Sequence, residues 1–309
     1  PLQASEKRIE ACRERYLGGY DVLRQERYKS LKEMGLVGSK AKLPIHRKEY
    51  KKQARPPWDS LDSGMKEKWI EEMATYAAMI EIMDDGIGDV VEAVKKKGEF
   101  DNTLFVFLSD NGATSEGGLI SQLAADLSNT PYRSYKAKTF MGGISSPLII
   151  QYPKTTGHAA GGVRADYTHI VDILPTCLDL AGIKYPSTFN GLGIAPSDGI
   201  SVVPALKNVA LPKRDFFFEH QPSCAVISGA WKLVRFSSGW SWELINLNVD
   251  PFELNDVSKA HPEKVAELEE KWNAWGEKNQ VFPLNPKGLS WNKRVEKYTK
   301  LYPVQDGRD

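Results

Sequence analysis

Thr103-Leu-Phe-Val-Phe-Leu-Ser-Asp-Asn-Gly112, T-L-F-V-F-L-S-D-N-G, is the stretch from which the fold can be read. Leu104 to Leu108 is an unbroken apolar run, aromatic and β-branched at its centre, of the length a fully buried strand takes. With no polar face, it predicts an inner strand of a parallel sheet covered by helices. It stops abruptly at Ser109-Asp-Asn-Gly112. Ligands of open α/β sheets sit outside the carboxyl ends of the strands, which places Asp110 and Asn111 at the rim of a site. A carboxylate beside an amide carbonyl suits a hard cation such as calcium or magnesium. Asp, Asn and Gly are also turn formers, and on this stretch alone the turn is the favoured reading.

Upstream, Ile70, Met73, Ala77, Ile80, Ile87, Val91 and Val94 recur at mostly three- and four-residue steps, predicting a long helix over 66–97. Gly86 and Gly88 interrupt it, and Asp84 and Asp85 beside them read as solvated. Two shorter helices precede it, from Ser5 to about Leu17 and from Tyr20 to Met34, the second closed by Gly35. The polar stretch 36–64 reads as loop. Its Arg47, Lys48, Lys51, Lys52 and Arg55 read as a solvated run.

Downstream, 113–135 reads as a long loop that shapes the site. Pro147 to Tyr152 predicts a second buried strand, and 166–181 a helix ending at Gly182 with Pro175 as a kink or early turn. Beyond Leu211-Pro212 the signals turn to short strands at 216–219, 224–227, 231–236 and 242–247, an antiparallel meander with a turn at Gly229. Pro262 then opens a helix whose Val265, Leu268, Trp272 and Trp275 fall on one face, ending at Gly276.

The 309 residues suffice for one large domain and a smaller one. A formal net charge of +1 gives no electrostatic case for nucleic acid or an anionic membrane. No apolar run approaches the ~20 residues of a membrane span. Cys12, Cys177 and Cys224 lie far apart without metal spacing and read as packing residues.

Several segments, taken together, resemble the sulfatase family of the alkaline-phosphatase-like superfamily. They are Tyr76-Ala-Ala-Met-Ile80 through Gly88, the strand text 101–112, Lys136 to Gly143 with Ile144-Ser-Ser-Pro-Leu-Ile149, Asp172 to Gly182 and Asp198 to Pro204. Trp231-Lys-Leu-Val234, Glu243 to Leu247, Asp250-Pro and Glu253-Leu-Asn-Asp256 continue the match in order. The resemblance implies an α/β fold: the latter part of an alkaline-phosphatase-like sandwich over 1–210, then a small α+β C-terminal domain with an antiparallel sheet over 211–309.

The activity it implies is hydrolysis of a sulfate ester, on a sulfated small molecule or glycan, to an alcohol or phenol plus sulfate. It turns the reading of Asp110 and Asn111 to metal ligands, with Ca2+ favoured over Mg2+. Lys136 is the expected catalytic lysine at the sulfate, Lys138 being solvated, and His220 a substrate contact or a structural histidine. His46, His158, His169 and His261 match no motif and read as structural or surface residues. A periplasmic or extracellular location is a family-level expectation.

The family's nucleophile is a formylglycine made within C-x-P-S/A-R, and that motif is absent from the sequence. The family's metal Asp pair is absent too, and its histidine would fall just before Pro1. The chain therefore reads as the C-terminal portion of a sulfatase, expected to be inactive and poorly soluble alone. Met141 stands where the lysine motif K-x-x-x-x-E-G-G has Glu, which predicts one charge fewer near the site. A phosphodiesterase or phosphonate hydrolase of the same superfamily, or a non-catalytic binding relative, are the alternatives.

Overall fold

A computed structural model describes residues 2–38, 42–43, 57–114, 122–156, 161–220, 223–236 and 240–282. The basic run 47–55, His46, His158 and the tail beyond Phe282 lie outside the described residues.

Among the described residues the first α-helices are α1 (Glu6–Arg13), α2 (Tyr20–Glu33) and α3 (Ser63–Lys96). Asp62 caps α3 by accepting the Met65 amide at 2.8 Å, satisfying one of the free N–H groups of the first turn. The half of α3 nearest that cap buries one face, Trp69, Ile70, Met73, Ala74, Ala77 and Ala78, and there Tyr20, Trp58 and Trp69 form an aromatic cluster. The other half is less covered, and Ile80, Ile82, Met83, Ile87 and Val90 are exposed. Gly86 and Gly88 have open space where a Cβ would stand, so close packing does not require them. Asp85, expected to be merely solvated, accepts from Arg8 at 2.6 Å and ties α1 to α3.

The opening stretch forms β1 (Phe105–Leu108), and the long loop expected after it contains a helix, α4 (Gln122–Asn129). Leu123, Ala124 and Leu127 explain that helix: they lie on one face and close the Tyr20–Trp69 cluster. A single turn, α5 (Met141–Ile144), leads to β2 (Leu148–Gln151). β1 pairs with β2 antiparallel, Val106 opposite Ile150, in a two-stranded sheet. Neither strand is fully buried: Phe107 is 39% and Ile149 59% exposed. The expected inner strand of a parallel sheet is thus corrected. An apolar run reports that a strand tolerates burial on both faces, not which elements cover it.

The short α6 (Pro153–Thr156) precedes α7 (Ile173–Ala181), which begins seven residues later than the sequence suggested. Pro175 lies in its first turn, where no intrahelical N–H partner is needed. A two-residue ladder, β3 (Thr188–Phe189) with β4 (Leu192–Gly193), and α8 (Val203–Leu206) follow.

The meander is then β5 (Phe216–His220), β6 (Ser223–Ser228), β7 (Trp231–Arg235) and β8 (Glu243–Asn246), antiparallel in that order. Alternation along β6 gives the sheet two apolar faces. Cys224 and Val226 join Leu233, Leu244, Leu268 and Trp272 against α9 (Pro262–Lys278). Burying a side chain such as Leu268 contributes about 1.5–3 kcal/mol. α9 continues past Gly276, where the Phe282 ring packs close enough to exclude a Cβ. Ala225, Ile227, Val234 and Ile245 meet Phe140 and Met141 on the other face. Of the cysteines, Cys12 and Cys224 are packing residues, and burial pushes the Cys224 thiol up to about 11. Cys177 is exposed.

Candidate functional site

Residues 109–114 and 133–143 run side by side, joined through their backbones. The Gly112 amide donates to the Gly143 carbonyl at 3.0 Å and the Lys136 amide to Ala113 at 2.9 Å. Asn129, at the end of α4, bonds both segments: its Oδ1 accepts from the Ala113 amide at 2.9 Å and its Nδ2 donates to the Ser134 carbonyl at 3.1 Å. The structure therefore brings Asp110, Asn111 and the lysine segment onto one rim.

Close approach explains the glycines. A Cβ on Gly112 would collide with the Gly142 carbonyl, and one on Gly142 with the carbonyls of Arg133 and Ser134. Ser134 and Ala137 have φ of 68° and 69°, left-handed conformations that non-glycine residues rarely adopt. They flank Lys136, which is half-buried. Gly142→Ala should lower unfolding free energy by about 1–3 kcal/mol through overpacking. Chemical denaturation checks this, and a wild-type value would show that the segment has slack.

At the rim, Asp110 is exposed and Asn111 half-buried. The Asn111 amide nitrogen donates to the Asp110 carboxylate, and Ser109 Oγ bonds the Asn111 carbonyl at 2.7 Å. Asn111 Oδ1 is buried without a hydrogen-bond partner. An orphaned acceptor beside a carboxylate is a costly arrangement that a cation would satisfy. The donor set fits two ligands of a hard divalent cation, well short of the 6–8 oxygens calcium takes. Among the described residues no group of three or more His, Cys, Asp or Glu stands ready to hold a metal.

His220 closes β5 opposite Ser223, whose Oγ meets Thr139 Oγ1 at 2.9 Å and accepts the Thr139 amide at 3.1 Å. That end of the meander therefore abuts the lysine segment, and His220 is exposed there. His169 is not at this rim. It caps the 3-10 turn ahead of α7, and burial lowers its pKa from the ordinary histidine value. His261 packs edge-on against Trp231. Lys138, expected to be solvated, is half-buried with its Nζ 4.2 Å from the centroid of the Phe236 ring.

Met141, standing where the lysine motif has Glu, is a packing residue. Its side chain is 3% exposed, in the apolar layer beneath the sheet. Its amide donates to Glu253 Oε2 at 2.7 Å. Glu253 and Lys232 are both fully buried and form an ion pair at 2.7 Å, with burial lowering the lysine's pKa. Arg133 bonds Glu243 through both terminal nitrogens, at 2.7 and 3.1 Å, and donates to the Glu253 carbonyl at 3.3 Å. Sequence reasoning missed these supports. Asn129, Arg133 and Glu253 have no spacing that announces their partners.

The sulfatase family profile matches residues 13–183, more than half of the chain. The chain belongs to the sulfatase family. A second profile, N-sulphoglucosamine sulphohydrolase, C-terminal, matches residues 134–277 of this sulfatase chain. An uncharacterized sulfatase of Schizosaccharomyces pombe is 29% identical, over 88% of this chain and 54% of its own length. The chain spans about half the length of the curated relatives it matches. Among solved structures, Ps i-CgsB aligns with a TM-score of 0.58 at 22% identity, covering 92% of this chain and 60% of that one. The phosphonate monoester hydrolase of Silicibacter pomeroyi aligns at 0.53 and 21%, covering 72% and 44%. The fold is the α/β, alkaline-phosphatase-like fold of sulfatases, with the small antiparallel sheet following it. Among the described residues no helix is long and apolar enough to cross a membrane.

Proposed function

We propose that the full-length protein hydrolyses sulfate esters, of a sugar or another small molecule, to an alcohol or phenol and inorganic sulfate. The observation that carries this reading is the shared rim: a carboxylate and an orphaned amide oxygen, bonded through backbone to the segment that presents Lys136. Asp110 and Asn111 would hold a divalent cation, calcium first. Bound there, it would supply Lewis-acid stabilisation of charge on the sulfate oxygens. Lys136 contributes a point-charge ammonium to the same oxyanion. His220, exposed at the adjoining end of the meander, would serve as a substrate contact or as a structural histidine.

No C-x-P-S/A-R segment stands in the sequence. Nucleophilic attack needs an activated group, so residues 1–309 by themselves are expected to be inactive. Family membership and the sulfatase relatives favour sulfate over other esters. The phosphonate hydrolase among the fold neighbours keeps phosphonate monoesters as the second reading.

The test is sulfate release by the full-length protein with calcium, run beside a phosphonate monoester. Lys136→Ala should lower kcat by about a hundredfold, the scale of one oxyanion partner. Lys138→Ala should lower it less. A larger kcat loss at position 138 would reverse the assignment. Faster phosphonate than sulfate cleavage would establish the second reading, and no turnover of either ester would favour a binding protein.

A further inference from the structure

Asn129 stands between the two halves of the rim and takes no part in the chemistry assigned to them. Its Oδ1 accepts the amide of Ala113, two residues beyond Asn111, at 2.9 Å, and its Nδ2 donates to the carbonyl of Ser134, two residues before Lys136, at 3.1 Å. Ala113 is thereby held from both sides, because its own carbonyl accepts the Lys136 amide at 2.9 Å. Ser134 is held as well. Its φ of 68° persists only where the surroundings fix it, and a Cβ on Gly142 would lie 2.1 Å from its carbonyl oxygen. The anchor behind Asn129 is firm. Leu127 lies in the Tyr20–Trp69 cluster, and Thr130, 3% exposed, accepts from Arg24 Nε at its Oγ1 and from Arg27 Nε at its carbonyl, both at 3.2 Å.

We infer that Asn129 is a positioning residue, whose carboxamide sets the spacing between the proposed cation ligands Asp110 and Asn111 and the proposed sulfate lysine Lys136. This rests on the reading of the rim given above and adds to it the side chain that registers its two halves. The residue type follows from the chemistry. One acceptor and one donor are needed on a short stem, which the carboxamide supplies. Asp brings two acceptors, Leu of similar shape brings neither, and Gln is one methylene too long. Reacting groups must be held to within about half an ångström, and a displacement of about 1 Å can cost on the order of 10²-fold in rate. A cross-link of this kind therefore acts on turnover without touching the substrate.

The experiment compares Asn129→Leu and Asn129→Asp with the wild-type full-length protein. It reads hydrogen exchange in 104–114, 133–143 and 223–236, calcium affinity, and steady-state sulfate release. Asn129→Leu removes both bonds, so exchange should quicken about tenfold in 104–114 and 133–143 and stay unchanged in 223–236. Calcium should bind about tenfold more weakly, and kcat should fall by about a hundredfold with a smaller change in KM. Asn129→Asp keeps the acceptor for Ala113 and loses the donor to Ser134. Exchange should then quicken in 133–143 while 104–114 stays near wild type, with kcat between those of the other two proteins. Should Asn129→Leu not fold, that contrast between the two segments decides. Equal quickening in all three segments, unchanged exchange in Asn129→Leu, or wild-type kcat in a variant whose rim exchanges faster would each overturn the assignment. A wild type that releases no sulfate overturns the hydrolytic reading instead, and leaves Asn129 to be decided by calcium affinity and the exchange contrast.

Discussion

Asp110→Ala in the full-length protein should, on the metal-assisted reading proposed for the rim, reduce sulfate-ester turnover by on the order of 10³-fold, several kcal/mol of charge stabilisation at about 1.4 kcal/mol per factor of ten. Asp110 is exposed just beyond the end of β1, where its carboxylate accepts from the Asn111 side-chain amide. The variant should therefore fold as the wild type does, with an unchanged thermal midpoint. What it removes is the only formal charge between the two proposed ligands, so calcium affinity should fall together with kcat. Asn111→Ala should produce a smaller loss, because a neutral carbonyl contributes less to a hard cation than a carboxylate does. Calcium titration and steady-state kinetics on the same samples decide the matter. Wild-type calcium affinity and turnover in Asp110→Ala would remove the metal from this rim.

A second large effect is expected away from the chemistry. Glu253→Ala should cost about 3–5 kcal/mol of unfolding free energy, the range found when one partner of a buried ion pair is removed. It strands the Lys232 ammonium in a fully buried position and takes the acceptor from the Met141 amide. Glu253 also has a left-handed backbone, with φ of 59°, which Ala tolerates no better. Lys232→Met made in the Glu253→Ala background should recover part of the loss, because it withdraws the stranded charge. Urea denaturation of the four proteins in the cycle measures the coupling. A Glu253→Ala cost below about 1 kcal/mol would mean that water reaches the pair and that it is not the buried clamp described.

Much of this fold could be read before the coordinates. The meander and its turn at Gly229 follow from short β-rich runs between breakers, and α9 from the spacing of Val265, Leu268, Trp272 and Trp275. These elements carry their own periodicity and their own stops. α4 did not show, because its three buried residues make a stripe too short to outweigh the Gly, Ser and Asn around it. The antiparallel partner of β1 was also hidden, since strand text carries no record of direction or cover.

For the rim, the strand-end position left Asp110 and Asn111 open between turn and metal ligand, the resemblance turned them to ligands, and Lys136, one lysine among many, was singled out by the resemblance alone. Their juxtaposition is a tertiary fact. So is the Lys232–Glu253 pair: a lysine between Trp231 and Leu233 in strand text reads as a solvated residue, not a fully buried one.

The bonds that hold 109–114 to 133–143 have a consequence for how such a protein can change over generations. Gly112 to Gly143, Lys136 to Ala113 and Gly142 to Arg133, the last at 2.7 Å, all run between main-chain atoms. Any residue but proline supplies the same amide, so most substitutions leave this frame in place. Met141 shows the latitude, keeping its amide on Glu253 while its side chain joins an apolar layer. Gly112 and Gly142 mark the limit, because there the neighbouring backbone occupies the space of a side chain. A lineage can thus exchange side chains along these two segments, one at a time, and hand its descendants an intact scaffold.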